Sequence, residues 1–192
     1  MSKLYLMRHG QTLFNVLRRK QGWCDSPLTE LGIEQAREAA AWFRDQGIHF
    51  DHVYSSTSER SCDTAEIVAP GQPYERLKGL KEWCWGKFEG ITEDLDIQHP
   101  YGDFYVQFGG ESELQVRERI SSTLLDIMRR PNHECVLAVS HGAAIRQVPF
   151  AFGQALADHL GTRRHMGNCA AAVFEFDGDS TLILQEIVGP DN

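Results

Sequence analysis

No two cysteines in this chain stand as Cys-x-x-Cys, and the five present, Cys24, Cys62, Cys84, Cys135 and Cys169, are scattered and odd in number. That pattern speaks against a disulfide framework and a zinc-cysteine site, and predicts reduced thiols in a cytoplasmic protein. The eight histidines include neither His-x-His nor His-Glu-x-x-His, so no metal site is predicted. No glycine-rich loop leads into Lys-Ser or Lys-Thr, as a nucleotide-phosphate loop requires. Basic residues are in deficit, 19 against 27 acidic, for a net charge of −8, which argues against a nucleic-acid partner. No apolar run approaches the ~20 residues of a membrane span, and the first residues lack the apolar core of a signal peptide. Repeats, low-complexity tracts and linkers are missing as well, so residues 1–192 predict a single domain.

What is present is an alternation of strand-like and helix-like segments. Leu4-Tyr5-Leu6-Met7 is an apolar run of strand length. In residues 27–46, Ala36, Ala39, Ala40 and Phe43 mark one helical face, with Thr29 as N-cap and Gly47 as stop. Residues 51–55 predict a second strand, then a helix burying Cys62, Ala65 and Ala69 that ends at Pro70-Gly71. Residues 75–80 predict a third strand. Ser112 and Gln115 form a capping-box pair ahead of a helix with Val116, Ile120, Leu124 and Ile127 inward. Residues 134–139 are apolar throughout, as in strands covered on both faces. A short helix follows. Residues 170–176 and 181–188 then predict a hairpin turned by Asp177-Gly178-Asp179. The fold class is α/β: a three-layer α/β/α sandwich with a mainly parallel central sheet. Residues 91–110 form a lid-like insert whose Tyr101, Phe104, Tyr105 and Phe108 either pin it to the core or wall the substrate's side of a pocket.

The chemistry sits where strands end. The first strand runs into Arg8-His9-Gly10-Gln11-Thr12, and residues 134–139 run into Ser140-His141-Gly142. Open α/β sheets bind ligands at such ends. Arg8 offers a planar fork for phosphate or carboxylate oxygens, Gly10 permits a close backbone approach, and His9 is a candidate nucleophile or base. Arg60 stands in the first turn after the second strand. Arg18-Arg19-Lys20 is either a solvated run or supplies one cation to the pocket rim.

Taken together, Arg8-His9-Gly10-Gln11-Thr12, Asn15, the 55–65 segment around Arg60, the segment from Leu80 to Gly90 and Ser140-His141-Gly142 resemble the histidine phosphatase superfamily. That group includes the cofactor-dependent phosphoglycerate mutases. Gln21-Gly22, Pro27-Leu28-Thr29 and Gly32 fit the same pattern. Gln11 and Ala143 depart from it, standing where glutamate and a second glycine are frequent.

The resemblance implies His9 as a nucleophile that becomes phosphohistidine. Arg8, Arg60 and His141 then hold the phosphoryl oxygens, and Glu82 is the general acid and base. Spacing alone leaves Glu89 as a competitor for that role. Asn15, Thr12, Gln21, Gly22 and Gly142 are the remaining substrate-binding candidates. No cofactor and no metal are implied, and the partner is a small-molecule phosphate ester.

The leading expectation is a metal-independent phosphomonoesterase, the runner-up a phosphoglycerate mutase. Between Lys87 and Arg117 the chain has no Lys or Arg, while Glu93, Asp94, Asp96 and Asp103 add negative charge. A second anionic group on the substrate is then poorly served, which favours hydrolysis. A non-catalytic phosphate-binding module would have lost its nucleophile or acid, and both are present. A protein-phosphohistidine phosphatase ranks below these, because the insert would close over the site.

Overall fold

A computed structural model describes residues 2–92, 94, 97, 100–155 and 166–189. Six strands, β1 (Ser2–Arg8), β2 (His52–Ser56), β3 (Tyr74–Leu77), β4 (Cys135–Ser140), β5 (Ala171–Phe176) and β6 (Leu182–Val188), form one mixed sheet. Its order is β3-β2-β4-β1-β5-β6. β1, β4, β2 and β3 run parallel, and β5 pairs antiparallel with both β1 and β6.

Side-chain alternation along β1 feeds two cores. Leu4 and Leu6 point to one face, with Val136, Ala138 and the apolar stripes of α4 (Glu113–Met128) and α5 (Gly142–Ala151). Tyr5 and Met7 point to the other, with Leu137, Val139 and the faces of α2 (Glu30–Asp45) and α3 (Glu59–Val68). A sheet loaded on both sides explains the unbroken apolar stretch of β4. Each fully buried aliphatic side chain contributes roughly 1.5–3 kcal/mol.

Local signals act where expected. Thr29 accepts from the Gly32 amide at the start of α2, Ser112 and Gln115 close their capping box, and Asp177 Oδ1 accepts three amides in the β5–β6 turn. Two details differ from the sequence expectation. β3 stops at Leu77, and Lys78–Leu80 form a single 3-10 turn. There Gly79 runs so close to Thr123 that a Cβ would lie 1.9 Å from its hydroxyl, and Leu80 is driven fully into the core. A short helix, α1 (Leu13–Val16), also occupies what reads as loop.

Register sets the site. Arg8 is paired with Ser140, and Ser55 with Val139, so β1, β4 and β2 finish side by side. The residues that follow them, His9, His141 and the α3 entry, therefore emerge together.

Candidate active site

His9 is almost fully buried, and its two ring nitrogens have different partners. Nδ1 lies 2.7 Å from the Gly10 carbonyl, which only accepts, so Nδ1 carries the proton. Nε2 then bears the lone pair, and Arg60 Nε donates to it at 3.3 Å. Burial, then the charges of Arg60 and Arg8, push the His9 pKa well below the ordinary imidazole value. The ring is neutral and its free lone pair faces the guanidinium.

His141 stands beside it. Its ring centroid is 5.1 Å from that of His9. Ser56 Oγ accepts from the Ser58 amide and lies 2.7 Å from His141 Nε2, with Ser61 Oγ at 3.3 Å. Each hydroxyl can donate to Nε2 or accept from it, so these contacts fit either imidazole tautomer. Among the described residues that buried Nδ1 has no hydrogen-bond partner. Burial, Arg60 and His9 keep the His141 pKa well below its usual value too. One imidazole presents a lone pair and its neighbour a buried ring nitrogen with no partner among the described residues.

Arg60 is completely buried. Nη1 donates to the Cys24 carbonyl and to Asp25 Oδ1, and Nη2 donates to the Gly22 carbonyl. Its remaining edge, Nε with one Nη2 hydrogen, is turned to His9. Arg8 reaches the Met166 carbonyl through Nη1 at 2.7 Å. Gly142 lies alongside it, and a Cβ there would stand 3.4 Å from Arg8 Nε, an ordinary contact.

The Glu82 carboxylate lies at the first turn of α5. Oε1 accepts from the Trp83 and Ala144 amides, and Oε2 from Ala143. Burial raises its pKa above the usual carboxyl value, against the opposing pull of those amides and of Arg60. Trp83 and Trp85, both buried and stacked at 5.1 Å, are part of the apolar surroundings. Glu89 does something else: its carboxylate accepts from the amides of Gly22, Trp23, Cys24 and Trp85. It builds the loop whose carbonyls hold Arg60.

The structure thus brings Arg8, His9, Arg60, Glu82, His141 and Gly142 together. Thr12, Asn15 and Gln21 form a separate cluster. Thr12 and Asn15 cap α1 reciprocally, Thr12 Oγ1 donates to Gln21 Oε1, and Gln21 Nε2 donates to Ser26. Gly22 contributes a carbonyl to Arg60 and is pressed against Trp83 O, 2.3 Å from where its Cβ would stand. The three adjacent cations turn to the insert: Arg18 pairs with Asp94, Arg19 stands over Phe14, and Lys20 is boxed by Trp85, Tyr101 and Tyr105. Tyr101, Phe104, Tyr105 and Phe108 pack edgewise on one another and on Trp83, Trp85 and Phe88. These contacts match the pinning role.

Sequence reading missed the supports. Thr64 Oγ1 accepts from the Gly10 amide and donates to the Arg60 carbonyl. Asn168 donates to the His9 carbonyl. Asp25, Ser56 and Ser61 orient Arg60 and His141. Ser56, Ser61 and Thr64 carried a signal, by lying in the motif segment around Arg60.

Among the described residues no three His, Cys, Asp or Glu side chains are grouped to hold a metal ion, and no helix is long and apolar enough to cross a membrane. Residues 4–186 match the model of the histidine phosphatase superfamily, branch 1. The chain is 34% identical to a probable phosphoglycerate mutase, GpmB, of Proteus mirabilis, over 76% of this chain and 72% of that protein. It is 32% identical to the broad-specificity phosphatase YOR283W of Saccharomyces cerevisiae, over 76% of this chain and 68% of that one. Among solved structures it resembles a phosphoserine phosphatase of Entamoeba histolytica in complex with 3-phosphoglyceric acid, with TM-score 0.80 and 29% identity over 99% of this chain and 98% of the other. By its full-length match, its sheet and its paired strand-end histidines, this chain belongs to the histidine phosphatase superfamily.

Proposed function

We propose that the protein is a metal-independent phosphomonoesterase that acts on small organic phosphate esters through phosphohistidine. The observation that carries this reading is the pair of facing imidazoles, one offering a lone pair and the other a ring nitrogen unpartnered among the described residues, with the Arg60 edge beside them. A nucleophile, a donor and a cationic fork around one small space are what phosphoryl transfer requires.

In the first step His9 Nε2 attacks phosphorus as the ester P–O bond breaks. Arg8, the Nε–Nη2 edge of Arg60 and His141 Nδ1–H take the equatorial oxygens. Asn15 Nδ2, which donates to no described protein atom, is the further candidate donor. Protonated Glu82 gives its proton to the departing alkoxide. In the second step water attacks the phosphohistidine, Glu82 takes a proton from it, and inorganic phosphate leaves neutral His9 behind. The raised pKa of Glu82 and the lowered pKa of His9 both favour this starting state.

Hydrolysis is favoured over mutase chemistry by the fate of Arg18, Arg19 and Lys20, whose contacts are with the insert and Phe14. A screen of phosphate esters for phosphate release, with alkaline quenching to trap labelled phosphohistidine, tests the reading. The expected result is a label that His9→Ala abolishes. Turnover by that variant at the wild-type rate would overturn it.

A further inference from the structure

Arg60 has five N–H donors, and how they are shared determines what it can do. The end of its guanidinium is occupied: Nη1 by Cys24 O at 3.1 Å and Asp25 Oδ1 at 2.8 Å, and Nη2 by Gly22 O at 2.9 Å. A guanidinium is rigid and planar, so fixing its end also fixes the direction of its Nε–Nη2 edge. That edge faces His9 Nε2. Of the three acceptors at the end, only Asp25 is charged.

Asp25 is itself held. Oδ1 also accepts from its neighbour Ser26 N at 3.0 Å, and Oδ2 accepts from Glu59 N at 2.6 Å, at the start of α3. Ser58, the N-cap residue of α3, makes no capping bond through its own side chain. One carboxylate therefore ties the 22–26 loop to the first turn of the helix that carries Arg60, and clamps the guanidinium between them. The Arg60 side chain is fully buried while that of Asp25 is about a quarter exposed (28%), so the pair has a buried end at the site and a wet end away from it.

We infer that Asp25 is the positioning residue for Arg60, aiming its Nε–Nη2 edge at the phosphoryl group as that group becomes five-coordinate on His9 Nε2. This rests on the phosphatase reading for its chemistry, though the aiming is a property of the free protein. An aimed edge matters most when charge spreads onto the equatorial oxygens, so its loss weakens the transition state more than the ground state.

Orthovanadate, which adopts the five-coordinate geometry, and inorganic phosphate, which does not, separate the two. In Asp25→Asn and Asp25→Ala, kcat should fall much more than KM rises. Vanadate affinity should drop by about 30-fold or more, with phosphate affinity changing less than about threefold. In an Arg60→Lys background, which has no edge to aim, Asp25→Asn should cost nothing further. Equal weakening of both anions, or losses that add in the double variant, would overturn the proposal and reduce Asp25 to a cap on α3. Should Asp25→Ala melt below the assay temperature, Asp25→Asn, which keeps an acceptor oxygen, carries the same comparison. If the wild-type protein releases phosphate from no ester, the phosphatase reading fails, yet the two anion affinities still report whether Asp25 aims Arg60.

Discussion

Arg60 Nε lies 3.3 Å from His9 Nε2, a donor pointed at the proposed nucleophile. The contact keeps His9 neutral, because protonating Nε2 would set two cations face to face in a buried site. On the acid side, activity should then be lost only when His9 takes up a proton, at a pH well below its ordinary value. On the alkaline side, it should be lost when Glu82 ionises, above the usual carboxyl value. The kcat/KM profile should be a bell centred on the acid side of neutrality. Replacing Arg60 with Gln should move the acid limb to higher pH, since the cation that lowers the His9 pKa is gone. An unmoved limb would mean that another group titrates there.

Glu82→Gln keeps the shape of the side chain but cannot give up a proton. Esters of alkyl alcohols, whose alkoxides need that proton, should lose about 100-fold or more in kcat. Nitrophenyl phosphate, whose phenolate leaves unaided, should lose far less in the first step. The alkaline limb should flatten as well. Equal losses on both substrates would assign Glu82 to holding α5 through its bonds to Ala143 and Ala144.

These expectations show why part of the site was readable from sequence and part was not. His9, His141 and Arg60 directly follow, or begin one turn beyond, strands whose apolar runs are unmistakable. The register of β1, β4 and β2 then brings them together without further instruction. The helix caps at Thr29 and Ser112 were legible because capping is local. Asp25 and Asn168 were not, because their partners lie 35 and 159 residues away. The capping role of Thr12 and Asn15 was hidden for a different reason: the helix they cap has four residues and no periodicity to announce it.

Lys20 provides a separation of stability from binding. It is 5% exposed, donates to Tyr105 Oη at 2.6 Å, and lies 4.0 Å from the Trp85 ring centroid. Lys20→Met fills similar space without the charge, and should destabilise the protein by about 1–3 kcal/mol through the lost bond and cation–π contact. Phosphate inhibition should be unchanged, because the ammonium is engaged with the insert's anchoring rings. A large rise in the inhibition constant with no change in melting temperature would instead place Lys20 on the pocket rim.

The last expectation concerns where the phosphoryl group goes. A mutase must hold an acceptor that carries a second anionic group, and must keep it longer than water takes to arrive. Here Arg18 is bound to Asp94 at 2.9 Å, Arg19 covers Phe14, and Lys20 is inside its aromatic box. Asp103 is on the insert's exposed surface, while Glu93 and Asp96, which entered the same argument from sequence, lie outside the described residues. With the insert's rings engaged in packing, the argument for hydrolysis rests on charge. Given 3-phosphoglycerate, the enzyme should release phosphate about tenfold or more faster than it forms the isomeric ester. Counting both products in one reaction checks this. Isomerisation in excess of phosphate release would require a cation for the second anion, and Lys81, 4.6 Å from the Trp23 ring beside Glu82, would be the first residue to replace.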